Sequence, residues 1–375
     1  MNDLRPAARL PLLACGMLSL LGGVLAGLAR LAWDVPALAG AQAGGHGALM
    51  ISAFFGTVIS LERAVALGRG WAYLGPAAAG LGGVLLLAGA PLPVAQALAL
   101  SGAAVLVAAS AQVLRRLVAP FTLVLAGGAL CWLLGNLAWI ASGVPAVAVP
   151  WWLAFLVLTI AGERLELTRF LPTPPRAQRF FFAIVGALLA GALLALWREG
   201  AGLALFAAAL LALAGWLLRY DIARRNARQR GLTRFIAICL LSGYAWLALA
   251  GLLGVAGAFV PGHAWRDAAL HAVGLGFVFA MVFGHAPIIF PAVVRVKMPY
   301  HPVFYLPLVA LHATLLLRVA GGLGDSFALR HGAGLGNAFV LLLFIVTMAG
   351  SVVRGRRAAR LQTVAGEVKH GPVRR

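Results

Sequence analysis

Residues 270–293 read LHAVGLGFVFAMVFGHAPIIFPAV, and in this run of apolar residues and glycine only His271 and His285 carry polar side chains. About 20 apolar residues cross the hydrocarbon of a bilayer, so the stretch reads as a membrane-spanning helix with two histidines inside it. Polar side chains at that depth face the bundle interior or a cavity, where they mark bound groups, ion paths or proton relays.

The rest of the chain has the same character. Hydrophobic residues fill 62% of its 375 positions and charged ones 11%, with a mean hydropathy of +0.97, against roughly 25% charged in soluble domains. Twelve apolar segments follow one another at about 10–33, 46–67, 71–90, 94–114, 120–141, 151–170, 180–197, 201–218, 235–259, 268–290, 302–320 and 333–353. They predict an all-α, polytopic membrane protein, with one transmembrane domain over 1–353 and a basic tail over 354–375. The first segment follows Arg5 and Arg9, as in a secretory signal, but its apolar run is longer than a signal's and it reads as an uncleaved first span.

A net charge of +20 raises the question of nucleic acid, and the placement of the cations answers it. With the N-terminus inside, all 30 Lys and Arg except Arg30, Arg198, Arg266, Arg318 and Arg330 fall on the termini and the even-numbered connections. These include Arg115, Arg116, the 219–234 loop RYDIARRNARQRGLTR and RGRRAAR at 354–360. That asymmetry is the positive-inside pattern. It predicts cytoplasmic termini in a bacterial-type inner membrane, basic loops touching anionic lipid headgroups, and no nucleic-acid partner.

Cys15, Cys131 and Cys239, sparse and odd in number, argue against a disulfide framework and read as small buried hydrophobes. They also serve as a ruler, falling early in the first, fifth and ninth spans, in ACGMLSLLG, LCWLLGNLAW and ICLLSGYAW. The spacing suggests three four-helix quasi-repeats over approximately 1–118, 119–232 and 233–353. From Cys15 it is 31 positions to His46 and 47 to Glu62; from Cys239 it is 32 to His271 and 46 to His285. In the middle unit Glu163-Arg164 of AGERLELTRF matches Glu62-Arg63 of SLERAVALGRG, with no histidine at the start.

Six of the eight histidines lie between residues 262 and 332. His263, His331 and His370 read as solvated. On an ideal helix His271 and His285 are about 40° apart around the axis and about 21 Å apart along it, and His301 and His312 about 20° and about 16 Å. Two adjacent spans thus carry histidine stripes. His46 and His271 begin the second and tenth spans at the outer face, so if those spans pack together the two imidazoles can meet across a planar group. That is the ligation expected of a low-spin haem. His285 sits in GHAPIIFP, where Gly284 permits close approach and Pro287 and Pro291 disturb the helix. It reads equally as a ligand or as a partner of the broken helix, and His301 and His312 as ligands or packing residues. Glu62-Arg63 and Glu163-Arg164 read as neutralised anchors at the inner interface, or as a proton path or propionate contacts. CxxC, CxxCH, a phosphate loop and a nucleophile elbow are all absent from the sequence, and GAGLG at 332–336 reads as a tight glycine turn.

Twelve spans in a threefold four-helix pattern, GGHGALM opening the second span and ALHAVGLG opening the tenth together resemble the NnrS family, and more distantly subunit I of haem-copper oxidases. The NnrS resemblance implies haem, copper as a second metal, and a role in relieving nitrosative stress. The oxidase resemblance implies low-spin haem ligation by His46 and His271. The chain lacks the oxidases' paired seventh-span histidines and their sixth-span copper arrangement, which argues against a full oxygen-reducing centre. The expectation is therefore a haem or metal protein of the inner membrane, b-type haem on His46 and His271, with His285 and His312 at a second position. It would transfer electrons to a redox partner or handle a small gaseous ligand such as nitric oxide, an oxidoreductase role. The alternatives are a proton-coupled secondary transporter and a haem or metal transfer protein.

Overall fold

The computed structural model describes residues 3–168, Leu171 and 174–369, with side chains as far as Arg357. His370 lies outside the described residues. The protein is an all-α polytopic membrane protein, with no strand among the described residues. Twelve helices are long and apolar enough to cross a membrane: α1 Pro6–Ala29, α2 Ala48–Leu67, α3 Gly70–Leu87, α4 Leu92–Arg116, α5 Pro120–Ser142, α6 Pro145–Thr168, α7 Pro175–Leu194, α8 Glu199–Tyr220, α9 Gly231–Val255, α10 Arg266–Val294, α11 Pro302–Leu323, and α12, which opens at Phe327.

Local sequence sets many of the ends. Proline occupies one of the first two positions of α1, α4, α5, α6, α7 and α11, where its missing N–H costs nothing and its fixed φ suits a first turn. Gly68 and Gly143 end α2 and α5 in the left-handed conformation, at φ 63° and 68°, which a side chain would resist.

α1 to α4 pack on one another, α4 leads to α5, α6 lies against α5 and α2, and α7 to α9 form a second layer. The path then closes, because α1 touches both α10 and α12. At the centre, Asn136 of α5 accepts from Ser52 Oγ at 2.9 Å and from Trp152 Nε1 at 3.1 Å, and donates to the Ala99 carbonyl at 3.1 Å. Trp132 Nε1 donates to Ser52 Oγ at 3.0 Å. This polar knot ties α2, α4, α5 and α6 together where no water can substitute.

The structure corrects four sequence expectations. GAGLG is not a turn: it lies inside α12, which starts at Phe327 rather than 333 and runs to Lys369. Its glycines serve packing, since a Cβ on Gly334 would stand 2.2 Å from Leu31 and one on Gly336 2.8 Å from Thr314. Residues 354–369 are helix continuous with α12 rather than a separate tail. The chain also runs helically through Pro287 and Pro291 to Val294. Finally, α2 and α10 each contain a π-helical stretch, Ala48–Phe55 and Ala272–Phe279. A π turn takes more residues than an α turn, so the ideal-helix angles between His271 and His285, and between His46 and Glu62, do not hold. The second and tenth spans share this π-helical feature, whereas α6, the sixth, is plain α-helix.

Asn136→Ala should lower stability by about 2 kcal/mol, because Ser52 and Trp152 lose their acceptor and the Ala99 carbonyl loses a donor in a dry core. Thermal unfolding in detergent measures the loss.

Candidate functional site

The two π-helical stretches each begin just after a histidine, and those histidines meet. The rings of His46 and His271 lie 6.2 Å apart, centre to centre, with planes 19° from parallel. Two residue pairs fix the register of the parallel spans α2 and α10, for Phe54 and Phe279 also stack, at 6.1 Å and 8°. Both pairs have the same offset in sequence, so the helices are matched turn for turn.

Each imidazole is oriented from behind. His46 Nδ1 donates to the Gly23 carbonyl at 2.7 Å, and His271 Nδ1 to the Asp267 carbonyl at 2.8 Å. These bonds place the proton on Nδ1 and leave the Nε2 lone pair free; no protein hydrogen bond reaches either Nε2 among the described residues. The Asp267 carboxylate lies 3.2 Å from His271 Nδ1 and is gripped by Arg318, whose Nε and Nη2 both donate at 2.8 Å. A bidentate pair of this kind fixes direction as well as charge.

Glycine makes the room. A Cβ on Gly27 would come within 2.8 Å of the His46 ring, so α1 can lie alongside only without one. Gly47, beside His46, and Gly274, one turn beyond His271, face open space. They border a narrow cavity of about 160 Å³ whose walls include Phe55, Phe279, Met50 and Leu153. A second cavity of about 250 Å³ shares His46, His271 and Arg318 with the first and adds Arg30, Arg330 and Asp267. An apolar slot thus opens beside three guanidinium groups.

The remaining sequence candidates lie elsewhere. His285 donates from Nδ1 to the Met281 carbonyl at 2.7 Å and receives Arg164 Nη2 on Nε2 at 3.0 Å, so neither nitrogen is free for a metal. His312 accepts Trp246 Nε1–H on Nδ1 at 2.9 Å, which leaves Nε2 protonated, buried and without a partner among the described residues. His301 is exposed and caps the start of α11 by accepting the Val303 N–H, so it belongs to no interior stripe. Glu62 and Glu163 interact with each other and with Arg63 and Arg164. This inner cluster stands at the opposite end of α2 and α6 from the histidine pair. His331 is not simply solvated: its Nδ1 donates to the Leu31 carbonyl at 2.6 Å, and its ring stacks on Trp33 at 4.0 Å.

Arg30, Arg318, Arg330 and Asp267 did not emerge as site residues from the sequence. The signal was present, for these three arginines are among the five cations that break the inside-positive pattern.

Two imidazoles that hold one metal through Nε2 would leave its other positions to a macrocycle. A metal–imidazole bond of about 2 Å on each side, with about 1.2 Å from Nε2 to each ring centre, spans about 6.4 Å, close to the 6.2 Å found. No group of three or more His, Cys, Asp or Glu side chains suited to a bare ion occurs among the described residues. A porphyrin exceeds the slot's volume, so seating one requires lining side chains to turn aside.

A family model described as a domain of unknown function, DUF8744, matches residues 9–353. The chain belongs to the DUF8744 family. The match takes in the histidine pair, the π-helical stretches and all three arginines of this DUF8744 site. No curated protein matches the chain.

Asp267→Asn and Arg318→Gln should each destabilise the protein by about 2 kcal/mol, and the double variant by little more than either alone, because each single change strands the charge of the other partner. Thermal unfolding of the three variants closes the cycle.

Proposed function

We propose that this protein carries a b-type haem in the membrane, held by His46 and His271, and serves electron transfer. The observation that carries the reading is the paired imidazoles: nearly parallel, 6.2 Å apart, each with Nδ1 bound to a carbonyl. Haem would supply a one-electron couple, and the protein's part is to tune it. The carbonyl bonds make each imidazole a stronger donor. Arg30, Arg318 and Arg330 suit the propionate carboxylates, and the apolar walls lower the local dielectric. His46 and His271 would hold the iron between them, which favours electron transfer over binding of a diatomic gas. The NnrS resemblance would add nitric-oxide handling to this reading; the second metal position expected at His285 and His312 is not part of it, because His285 has both nitrogens engaged. An inner-membrane location with both termini cytoplasmic follows from the charge asymmetry.

A second reading, proton-coupled transport, is favoured by the inner cluster of Glu62, Glu163, Arg164 and His285. Ionisable groups this deep commonly mark proton paths.

Protein purified in mild detergent from haem-sufficient cells should show a Soret band, sharp reduced α and β bands, and about one haem per chain by pyridine haemochrome. His46→Ala and His271→Ala should each abolish these, whereas His285→Ala and His301→Ala leave them. Carbon monoxide should not shift the reduced spectrum; a shift would turn the reading from electron transfer to gas handling. A folded, colourless protein would overturn the haem proposal and favour transport, tested by proton-coupled solute flux in Glu62→Gln and Glu163→Gln proteoliposomes.

Closing the slot is a separate test. Gly274→Leu places its Cβ in open space beside the cavity, so it should leave the unfolding temperature unchanged while cutting haem content at least about fivefold, the effect of occupying room a cofactor needs.

A further inference from the structure

On the face carrying the basic connections, Leu171, Pro174 and the α8–α9 connection border a pocket of about 400 Å³. Arg219, Arg224, Arg225 and Arg228 line it, and Leu171 and Pro174 form an apolar wall. All four arginines are exposed, and none is paired with a carboxylate among the described residues. The one acid in the lining, Asp221, is 4% exposed and turns inward, its Oδ1 accepting the Ala223 N–H at 2.6 Å. Burial raises the Asp221 pKa above the ordinary carboxylate value, against the pull of Arg164. Its carboxylate forms no ion pair with the four arginines among the described residues.

Four like charges gathered at a concavity repel one another unless an anion joins them. Guanidinium forks match phosphate oxygens in pairs, and the volume lies within the roughly 300–1,000 Å³ of small-molecule sites. The placement distinguishes a lipid from a free ion. Arg219 and Tyr220 are the last residues of α8, so the pocket opens where a spanning helix leaves the hydrocarbon, at the level of the bilayer's phosphates. The apolar wall of Leu171 and Pro174 suits the glycerol end of such a molecule.

We propose that this pocket is a binding site for the phosphate headgroup of an anionic phospholipid. The site is independent of the histidine pair and of any cofactor there.

The purified full chain is titrated in detergent with phosphatidylglycerol, phosphatidylcholine or inorganic phosphate, and followed by native mass spectrometry and thermal unfolding. Phosphatidylglycerol should be retained and raise the unfolding temperature; phosphatidylcholine and phosphate should do neither. Arg224→Gln/Arg228→Gln should weaken that retention about tenfold, as expected for two cations close to an anionic headgroup. Arg354→Gln/Arg356→Gln, which removes the same charge from exposed positions on α12, should leave it unchanged. Equal weakening by both pairs would overturn the proposal in favour of diffuse attraction. A stabilisation by phosphate as large as that by lipid would overturn it in favour of a soluble phosphate ligand. If the glutamine pair does not fold, Arg224→Lys/Arg228→Lys keeps the charge and removes the forks; unchanged retention there would refute a built headgroup site.

Discussion

Hydrocarbon offers a polar group nothing to bond with, so each polar side chain within the bundle must find its partner inside the protein. That constraint organises the fold. Asn136 is possible at the centre of α5 because Ser52, Trp152 and the Ala99 carbonyl satisfy it. Arg9, 2% exposed, is possible because Leu4, Val293 and Asp3 do the same. The histidines obey it unequally. His285 has both nitrogens engaged, whereas His46 and His271 have one each, and the unengaged nitrogens belong to rings that face each other.

Holding two rings in register across separate helices demands more than proximity. The phase of α2 and α10 is shifted by a π-helical stretch after each histidine, and one phenylalanine pair downstream repeats the alignment. Asp267 then couples the His271 ring, through its backbone carbonyl and its carboxylate, to Arg318 of α11. The geometry of the pair is in this way set by three spans and by the glycine of a fourth, Gly27.

Much of this was legible beforehand. Twelve apolar runs gave the architecture because span length is a strong signal, and the depth match between His46 and His271 anticipated their meeting. What failed did so for local physical reasons. Helical angles assumed one uniform pitch, which the π stretches break. GAGLG looked like a turn because glycine is ambiguous: inside α12 it permits close contact with Leu31 and Thr314 rather than a bend. His331 looked solvated because nothing in its own neighbourhood announces Trp33, almost 300 residues away. The arginines beside the pair stood out only as exceptions to a charge pattern, a cue that shows location without showing company.

The closure of the path, with α1 against α10 and α12, bears on the order of synthesis. The outer cavity draws Arg30 from the end of α1, His46 from before α2, Asp267 and His271 from α10, Arg318 from α11 and Arg330 from α12. Its first contributors leave the ribosome more than 200 residues before its last. His46 and Arg30 must therefore wait in the membrane, with one wall missing, until the final spans are inserted. Whatever fills the slot is enclosed by the last helices to arrive, and maturation of the site is a late, post-insertion event rather than a step in early folding.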